Sequence, residues 1–437
     1  MTEPADFEGP SASAEMLHQL DTAPRTYAPG VKLFERRTFD LDLQTVVTPE
    51  DVESWLLGAA SKIKSANALV EGFACRLAQA RLGVARFVLN VGTLHPQITG
   101  YSWVWSTLDG ICDEIQIAAE TLATDAFRKN PIFRVAEHGE VFRMLLTPET
   151  AEQRSPLMEE LAEAGYSEYV AIPLSASGER YNVVTMATRQ AGGFTEAQYD
   201  RLLRLLSVFA LHVERHIASR ITQNISVAYL GRNAGAQVVS GSIKRGSGMP
   251  IQAIIWSSDM RDFSTLSEQQ SNQAVVELLN RYFLVLAQAV LRHGGDILKF
   301  IGDGMLAVFP LADFDSPKQA AEASATAAQE AIRDLDTLNR EMARAADWRR
   351  LQSGIGLHIG EVFFGNVGSA QRLDFTVIGE AVNITSRIEG LCKVLKRDVL
   401  MSASVASLLD EGTEALGAQS LKGLRETEQI FSLSCDF

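Results

Sequence analysis

The sequence predicts an α+β protein, an α/β sandwich, in which two domains are joined by a long helix. Its 437 residues are enough for two or three domains of ordinary size. Between residues 251 and 395, strand-like and helix-like stretches follow the order β-α-β-β-α-β, which is the split βαβ, or ferredoxin-like, arrangement. Between residues 195 and 230, apolar residues recur at helical spacing over a length that is unusual for a helix within one domain.

The composition excludes several classes of protein. A chain with 46% hydrophobic and 22% charged residues buries real cores, and a net charge of −14 disfavours general binding to nucleic acid. No apolar run approaches the ~20 residues of a membrane-spanning helix, and the acidic N-terminus lacks the apolar core of a signal peptide. We therefore expect no transmembrane segment and a cytoplasmic location. Reduced thiols are expected because no CxxC spacing occurs among the four cysteines, Cys75, Cys112, Cys392 and Cys435.

In the first half of the chain, prolines interrupt any periodic pattern before residue 48, which predicts a weakly structured leader. Thr48 followed by Pro-Glu-Asp predicts the start of a helix that continues to about residue 80. A capping box at Thr195 to Gln198 predicts the long helix, which is either a coiled-coil connector or a core helix of the first domain. Strands are predicted at 85–91, 101–105, 169–173 and 181–187.

In the second half, a segment rich in glycine, serine and basic residues (231–248) predicts a domain junction. A capping box beginning at Ser267 predicts a helix to His293, ended by two glycines. A hairpin turning at 302–304 follows. The other predicted elements are strands at 251–256, 354–358, 362–367 and 376–378, and helices at 318–346 and 380–395. The chain thus divides into a leader (1–48), a first domain (49–215), a helical linker and junction (216–248) and a second domain (249–437).

Two aspartates are candidates for binding a metal ion. Asp259 ends an apolar strand, and Asp303 lies between glycines at the predicted hairpin turn. Carboxylates at a strand end and a neighbouring turn can converge on Mg²⁺, which prefers oxygen ligands. The alternative is that both are ordinary turn-capping acids.

Further polar residues favour phosphate chemistry. Lys299 lies on the strand before Asp303, and Asn383 and Arg387 are four apart on one predicted helix, so they share a face. An amide and a guanidinium on one face could stabilise the negative charge that develops on a phosphate. Lys422, in a late turn, could reach a phosphate as well.

The second domain resembles the class III adenylate/guanylate cyclases. Five segments carry the resemblance over roughly residues 250–437, in the family's order and spacing. They are IIWSSDMRDFS (254–264), KFIGD (299–303), GLHIGEVFFG (356–365), FTVIGEAVNITSR (375–387) and LKG (421–423).

The resemblance implies a role for each matching residue. Asp259 and Asp303 match the metal-binding aspartates, and the Met260 backbone carbonyl matches a further metal contact. Lys299 and Thr376 match the residues that read adenine. Asn383 matches the residue that orients the ribose, and Arg387 matches the residue that binds the α-phosphate. Lys422 matches the residue that binds the terminal phosphates.

The implied reaction converts ATP to 3′,5′-cyclic AMP and pyrophosphate. Two Mg²⁺ or Mn²⁺ ions per active site assist attack of the ribose 3′-hydroxyl on the α-phosphorus. The resemblance also implies a homodimer with composite active sites. Two alternatives stay open: a guanylate cyclase, which Lys299 and Thr376 disfavour, and a catalytically weak cyclase-like module that binds nucleotide.

Two positions depart from the family pattern. Asp262 stands where the family usually has glycine, and Gly354 stands where some members carry a phosphate-binding arginine. An extra carboxylate near the triphosphate would either repel it or point to solvent.

The first domain resembles sensors of the GAF type, with a purely structural dimerisation module as the alternative. The GAF-like reading implies a regulatory role, for which the sequence names no ligand or partner.

Overall fold

The computed structural model describes residues 25–27, 30–95, 98–118, 121, 130–174, 181–343, 348–421 and 427–434. The chain divides into two compact units, one ending at Ile225 and one running from Ser226 to Phe437. Both are mixed α+β, as predicted.

The first unit is built on a seven-stranded antiparallel sheet in the order β1-β4-β3-β2-β7-β6-β5. Its core contains Trp105, Phe73, Phe87 and Phe209, all fully buried. The strands are Val31–Thr38 (β1), Arg86–Gly92 (β2), Ile98–Ser106 (β3), Ile111–Ala118 (β4), Phe142–Leu145 (β5), Glu168–Leu174 (β6) and Asn182–Thr188 (β7). The helices are Pro49–Leu57 (α1), Ala66–Gln79 (α2), Pro131–His138 (α3), Pro156–Glu163 (α4) and Glu196–Leu230 (α5).

Two predictions for this unit were wrong in part. The predicted leader contains β1, which pairs with β4 along its length, so residues 31–38 belong to the sheet. An arginine within β1, Arg36, anchors the strand through a bidentate ion pair with the buried Asp113, an interaction that no local pattern reveals. The helix predicted from 48 to 80 is interrupted after Leu57, where a short 3₁₀ turn and an extended link precede α2.

The long helix is confirmed as one continuous element. Its predicted capping box forms: Thr195 and Gln198 exchange backbone-to-side-chain hydrogen bonds of 3.0 and 3.2 Å. Its first part packs into the core of the first unit through residues such as Leu202, Phe209 and Ile217. The helix therefore serves the first unit as a core helix, and its last turns cross into the second unit.

The second unit is built on a sheet in the order β14-β15-β13-β11-β8-β10-β9, with β12 paired to β11. All of its strand pairs are antiparallel except β11 with β13. The strands are Gly248–Met260 (β8), Asp296–Ile301 (β9), Gly304–Pro310 (β10), Ser353–Gly368 (β11), Leu373–Ile378 (β12), Val399–Ser402 (β13), Thr413–Ser420 (β14) and Thr427–Leu433 (β15). The helices are Arg232–Val239 (α6), Phe263–Gln269 (α7), Asn272–Arg292 (α8), Pro317–Met342 (α9), Glu380–Leu395 (α10) and Ala403–Ala406 (α11).

Two predictions for the second unit also need correction. The helix expected from Ser267 begins at Asn272 instead, because the Ser271 hydroxyl caps it by accepting the Ala274 N–H at 3.3 Å. The two strands expected at 354–358 and 362–367 are one strand, β11. Its glycines are not turns: a Cβ at Gly356 would lie 2.6 Å from the backbone of α10, so the glycine lets the helix pack closely on the strand.

The apolar helix α8 meets the length and composition criteria for a membrane span, with a mean hydropathy of 1.5 over its best window. In this fold one of its faces packs into the core of the second unit through Tyr282, Leu286, Ala289 and Val290. The core helix of a globular domain passes the same test.

Candidate active site

The two predicted metal-binding aspartates lie together at the ends of adjacent strands. Asp259 is the penultimate residue of β8, and Asp303 lies in the turn between β9 and β10. Antiparallel pairing of β10 with β8, Met305 opposite Ser258, carries this turn to the end of β8. A Cβ at Gly304 would lie 3.3 Å from Asp259 Oδ1, so a glycine next to Asp303 keeps the turn close to the Asp259 carboxylate.

The pair is electrostatically suited to a cation. Desolvation of its carboxylate and the neighbouring charge of Asp303 raise the pKa of Asp259 to about 6. A divalent ion would remove this repulsion, so the residues present fit the metal that the fold implies. Within the described ranges, no group of three or more His, Cys, Asp or Glu side chains forms a metal cage. A cation bound by the two aspartates would take its remaining ligands from backbone, water or phosphate oxygens, as Mg²⁺ commonly does.

Near the two aspartates, Met260 presents its backbone and not its side chain. Its side chain is buried in the core of the second unit, and its backbone N–H donates to the Asp259 carboxylate. The predicted contact of its carbonyl with a metal stays a prediction.

A third acidic side chain near the pair was not predicted. Burial, together with the charges of Asp259 and Asp303, raises the pKa of Glu389 to about 7. Glu389 lies on α10, and its Oε1 is 2.8 Å from where a Cβ on Gly354 would be. Gly354 is directly opposite Asp259 in the sheet. Glu389 and Asp259 are 130 positions apart in the sequence, so only the β8–β11 pairing reveals that they are neighbours.

The predicted base-reading residues also come together. Lys299 on β9 forms a 2.5 Å ion pair with Asp374 on β12. Thr376, two residues further along the same strand, lies on the same face as Asp374 and is 7% exposed. Asp374 was not predicted as a site residue, because it directly precedes the motif of residues 375–387.

Asn383 and Arg387 lie one turn apart on α10. The opposite face of this helix, with Ala381, Thr385 and Ile388, packs into the unit. In the part of the chain that the structure describes, the side chains of Asn383 and Arg387 form no hydrogen bond or ion pair. Both are thus available to a ligand or to another chain. Lys422, the last predicted site residue, lies outside the described residues.

The structure gives physical reasons for the two departures from the family pattern. Asp262 adopts the left-handed conformation (φ +57°) that glycine accepts at least cost, and its carboxylate pairs with Lys393 at 2.7 Å. The negative charge of Asp262 is therefore partly compensated by the Lys393 ammonium. At Gly354 a larger side chain would fit only if Glu389 moved, because even a Cβ would lie 2.8 Å from Glu389 Oε1 and 3.0 Å from Cys392 Cβ.

Comparison with known families decides what this site belongs to. Residues 252–434 match the model of the adenylate and guanylate cyclase catalytic domain. This segment is a class III cyclase catalytic domain. The match covers the two aspartates, the strands β9 and β12 and the helix α10.

Relatives of the cyclase domain include named adenylate cyclases. Adenylate cyclase 1 of Rhizobium meliloti is 31% identical over 180 residues, 40% of this chain and 26% of the relative. The adenylate cyclase of Anabaena cylindrica is 35% identical over 147 residues, 34% of this chain and 28% of the relative. The chain thus spans about a quarter of the length of each of these two relatives. Among solved structures, the adenylyl cyclase CyaB from P. aeruginosa is 26% identical, with a TM-score of 0.40, covering 43% of this chain and 96% of that one.

Proposed function

We propose that the protein is an adenylate cyclase that converts ATP to 3′,5′-cyclic AMP and pyrophosphate, a phosphorus–oxygen lyase (EC 4.6.1.1). The observation that carries the proposal is the convergence of Asp259 and Asp303 at one end of the cyclase domain, with the pKa of Asp259 raised to about 6. Such a pair calls for a divalent cation, and the same domain presents Lys299, Asn383 and Arg387 for a nucleotide. Because its substrate is ATP, we place the reaction in the cytoplasm.

Each residue then has a defined task. Asp259, Asp303 and the Met260 carbonyl would hold two Mg²⁺ or Mn²⁺ ions, which would lower the pKa of the ribose hydroxyl and neutralise phosphate charge. Asn383 orients the ribose, Arg387 contacts the α-phosphate and Lys422 contacts the terminal phosphates. The amide and guanidinium stabilise charge that grows at the reacting phosphate.

Base choice depends on Lys299 and Thr376. Lys299 donates to an acceptor on the adenine edge, and the Thr376 hydroxyl contacts the amino group. Asp374 supports this arrangement, since its ion pair holds the Lys299 ammonium against β12, the strand that carries Thr376.

We also propose a homodimer with composite active sites. Asn383 and Arg387 are on the face of α10 that points away from its own domain. In a two-fold dimer each chain would give its aspartates to one site and its α10 pair to the other, which makes two equivalent sites.

The first unit would act as a GAF-like regulatory domain through α5. This helix is part of the first unit's core and continues into the second unit, so it is a continuous connection between them.

The test is a product assay on the purified protein with Mg²⁺ or Mn²⁺ and with ATP or GTP, using Asp303→Ala as the inactive control. We expect cyclic AMP from ATP and little cyclic GMP from GTP. Cyclic GMP as the main product would overturn the ATP assignment. Nucleotide binding without product, with either metal, would instead indicate a non-catalytic module.

A further inference from the structure

We propose that Glu389 is a positioning residue of the metal site, which strengthens cation binding by its charge and through the cation's water shell without being a direct ligand. The inference rests on the proposed function, because it assumes that Asp259 and Asp303 bind the cation. It adds a third acidic group that neither the sequence motifs nor the family match assigns.

The position of Glu389 on its helix is the first observation. Asn383 and Arg387 occupy the outward face of α10, whereas Glu389 projects on the inner side, toward β11. Its Oε1 lies over Gly354, 2.8 Å from the site of a Cβ. Across the sheet, Gly354 faces Asp259, and side chains of directly opposed residues lie on the same face. Glu389 therefore fills the space beside Asp259 that a side chain at position 354 would occupy.

The charges around Glu389 are the second observation. Asp259 and Asp303 repel its ionised form, and Arg261 is the cation that favours it. Arg261, however, is engaged elsewhere: its guanidinium pairs with Asp398 at 2.9 Å and donates to the Arg397 carbonyl at 2.6 Å. Among the described groups, three carboxylates thus share one region with a single, already engaged arginine. A divalent cation would supply the missing positive charge.

The arrangement of the acidic side chains indicates the kind of contact that Glu389 makes with the cation. No set of three acidic residues is arranged as a metal cage in the described ranges, so Glu389 is not placed as a direct ligand. Mg²⁺ and Mn²⁺ keep several bound waters. A carboxylate behind the ligands can accept hydrogen bonds from such waters and orient them, as outer partners do in other metal sites.

The experiment measures Mn²⁺ binding to the full-length protein by electron paramagnetic resonance at pH 8, with the non-cyclisable analogue 3′-deoxy-ATP present. We expect Glu389→Gln to raise the Mn²⁺ dissociation constant about five- to tenfold, because it removes one nearby charge and keeps the shape of the side chain. Glu389→Asp should restore part of the affinity. The matched control is Glu380→Gln, which removes an exposed charge from the first turn of the same helix and should leave the constant unchanged.

A second variant tests the contact between Glu389 and β11 by a change in the strand. Gly354→Ala adds a methyl group 2.8 Å from Glu389 Oε1 and should displace the carboxylate. It should weaken Mn²⁺ binding in the wild-type background and have little effect in the Glu389→Gln background. A purely structural role for Glu389 would instead lower the metal-free melting temperature of Glu389→Gln and leave Mn²⁺ affinity intact, which would overturn the inference.

Asp303→Asn separates this inference from the proposed function. If Asp303→Asn weakens Mn²⁺ binding and Glu389→Gln does not, only the role of Glu389 is wrong. If neither variant changes Mn²⁺ binding, the metal site itself, and with it the proposed function, is wrong.

Discussion

Lys299 illustrates how the role of a residue depends on a partner far along the chain. The motif predicts that Lys299 contacts the base, and the structure adds that its ammonium is held by Asp374, 75 positions away. An exposed lysine without a partner would sample many rotamers and lose that freedom when it binds a base. The ion pair with Asp374 reduces this loss, since the ammonium is already held against β12, the strand that carries Thr376.

At this scale we predict a change of base preference. Lys299→Glu combined with Thr376→Cys should weaken ATP use and raise relative GTP use, because a buried hydrogen bond left unmade costs about 1–3 kcal/mol. The measurement is the ratio of kcat/KM for ATP and for GTP. The control is Lys318→Glu, because Lys318 is exposed in the first turn of α9 and pairs with Asp410. An unchanged ratio in the double variant would show that these residues do not read the base.

Helix α6 illustrates a connection between elements. It begins directly after α5, and its first N–H groups are capped by Asp296, which accepts from Asn233 at 3.2 Å and also from Arg232. Asp296 is 5% exposed and is the first residue of β9, the strand that carries Lys299 and leads to Asp303. The end of the long helix is thereby linked through one carboxylate to the active-site hairpin.

We predict that Asp296→Ala destabilises α6. Loss of the cap should lower the free energy of unfolding by about 1 kcal/mol. Asp296→Asn should lower it much less, because asparagine caps a helix as well as aspartate does. Amide hydrogen exchange of residues 232–239 measures the effect directly. If Asp296→Ala and wild type exchange at the same rate over this helix, the cap is not what holds it.

Helix α5 carries a second prediction at the scale of elements. If the first unit regulates the cyclase domain through this helix, deletion of residues 1–245 should change the specific activity. The measurement is cyclic AMP formation at matched dimer concentration, with dimerisation followed separately. An unaltered rate together with unaltered dimerisation would leave the first unit without a regulatory role.

At the scale of the whole molecule, the question is whether one chain contains a complete active site. Asp259 lies at the end of β8 and Asp303 in the turn beside it, whereas Asn383 and Arg387 project outward from α10. Each domain thus presents both halves of a site, and the proposed dimer brings complementary halves together.

This arrangement predicts complementation between inactive variants. Asp303→Ala and Asn383→Ala should each be nearly inactive as homodimers. With random mixing, half of the dimers are mixed and have one intact site of two, so activity should return to about a quarter of wild type. Cyclic AMP formation after co-expression is the measurement. If mixed dimers form and activity does not exceed that of the separate variants, each site lies within a single chain.

The carboxylates also predict how stability depends on pH and metal. The folded chain holds protons on Asp259, with a pKa of about 6, and on Glu389, with a pKa of about 7, that the unfolded chain releases near pH 4. Their contribution to the metal-free stability is therefore fully present below about pH 4 and is lost as the pH rises to about 7. Because protons compete with the cation, Mg²⁺ should raise the melting temperature more at pH 8 than at pH 5.5.

Thermal unfolding with and without Mg²⁺ at both pH values tests this prediction. Asp259→Asn is the control and should reduce the dependence on both pH and metal. Equal Mg²⁺ shifts at pH 5.5 and pH 8 would contradict it.

Local chemistry was enough to predict much of this protein. The Thr48 and Thr195 caps form as expected because a capping box lies within one turn of chain. The turn that carries Asp303 was predicted for the same reason: its glycines and flanking apolar residues are adjacent in sequence. The order and spacing of the motifs likewise predicted the cyclase domain, which the family match over residues 252–434 confirms.

The features that could be known only from the tertiary structure are contacts between residues far apart in the sequence. From its sequence alone, the glycine-containing segment 353–368 is compatible with two short strands or with one long strand. It forms the single strand β11, because Gly356 lets α10 pack closely against it. Asp262 is compensated by Lys393, 131 positions away, and Glu389 reaches the Asp259 region only because β11 pairs with β8. Such contacts follow from strand register and helix packing, and these depend on the burial of a whole core, whereas caps and turns depend on a few neighbouring residues.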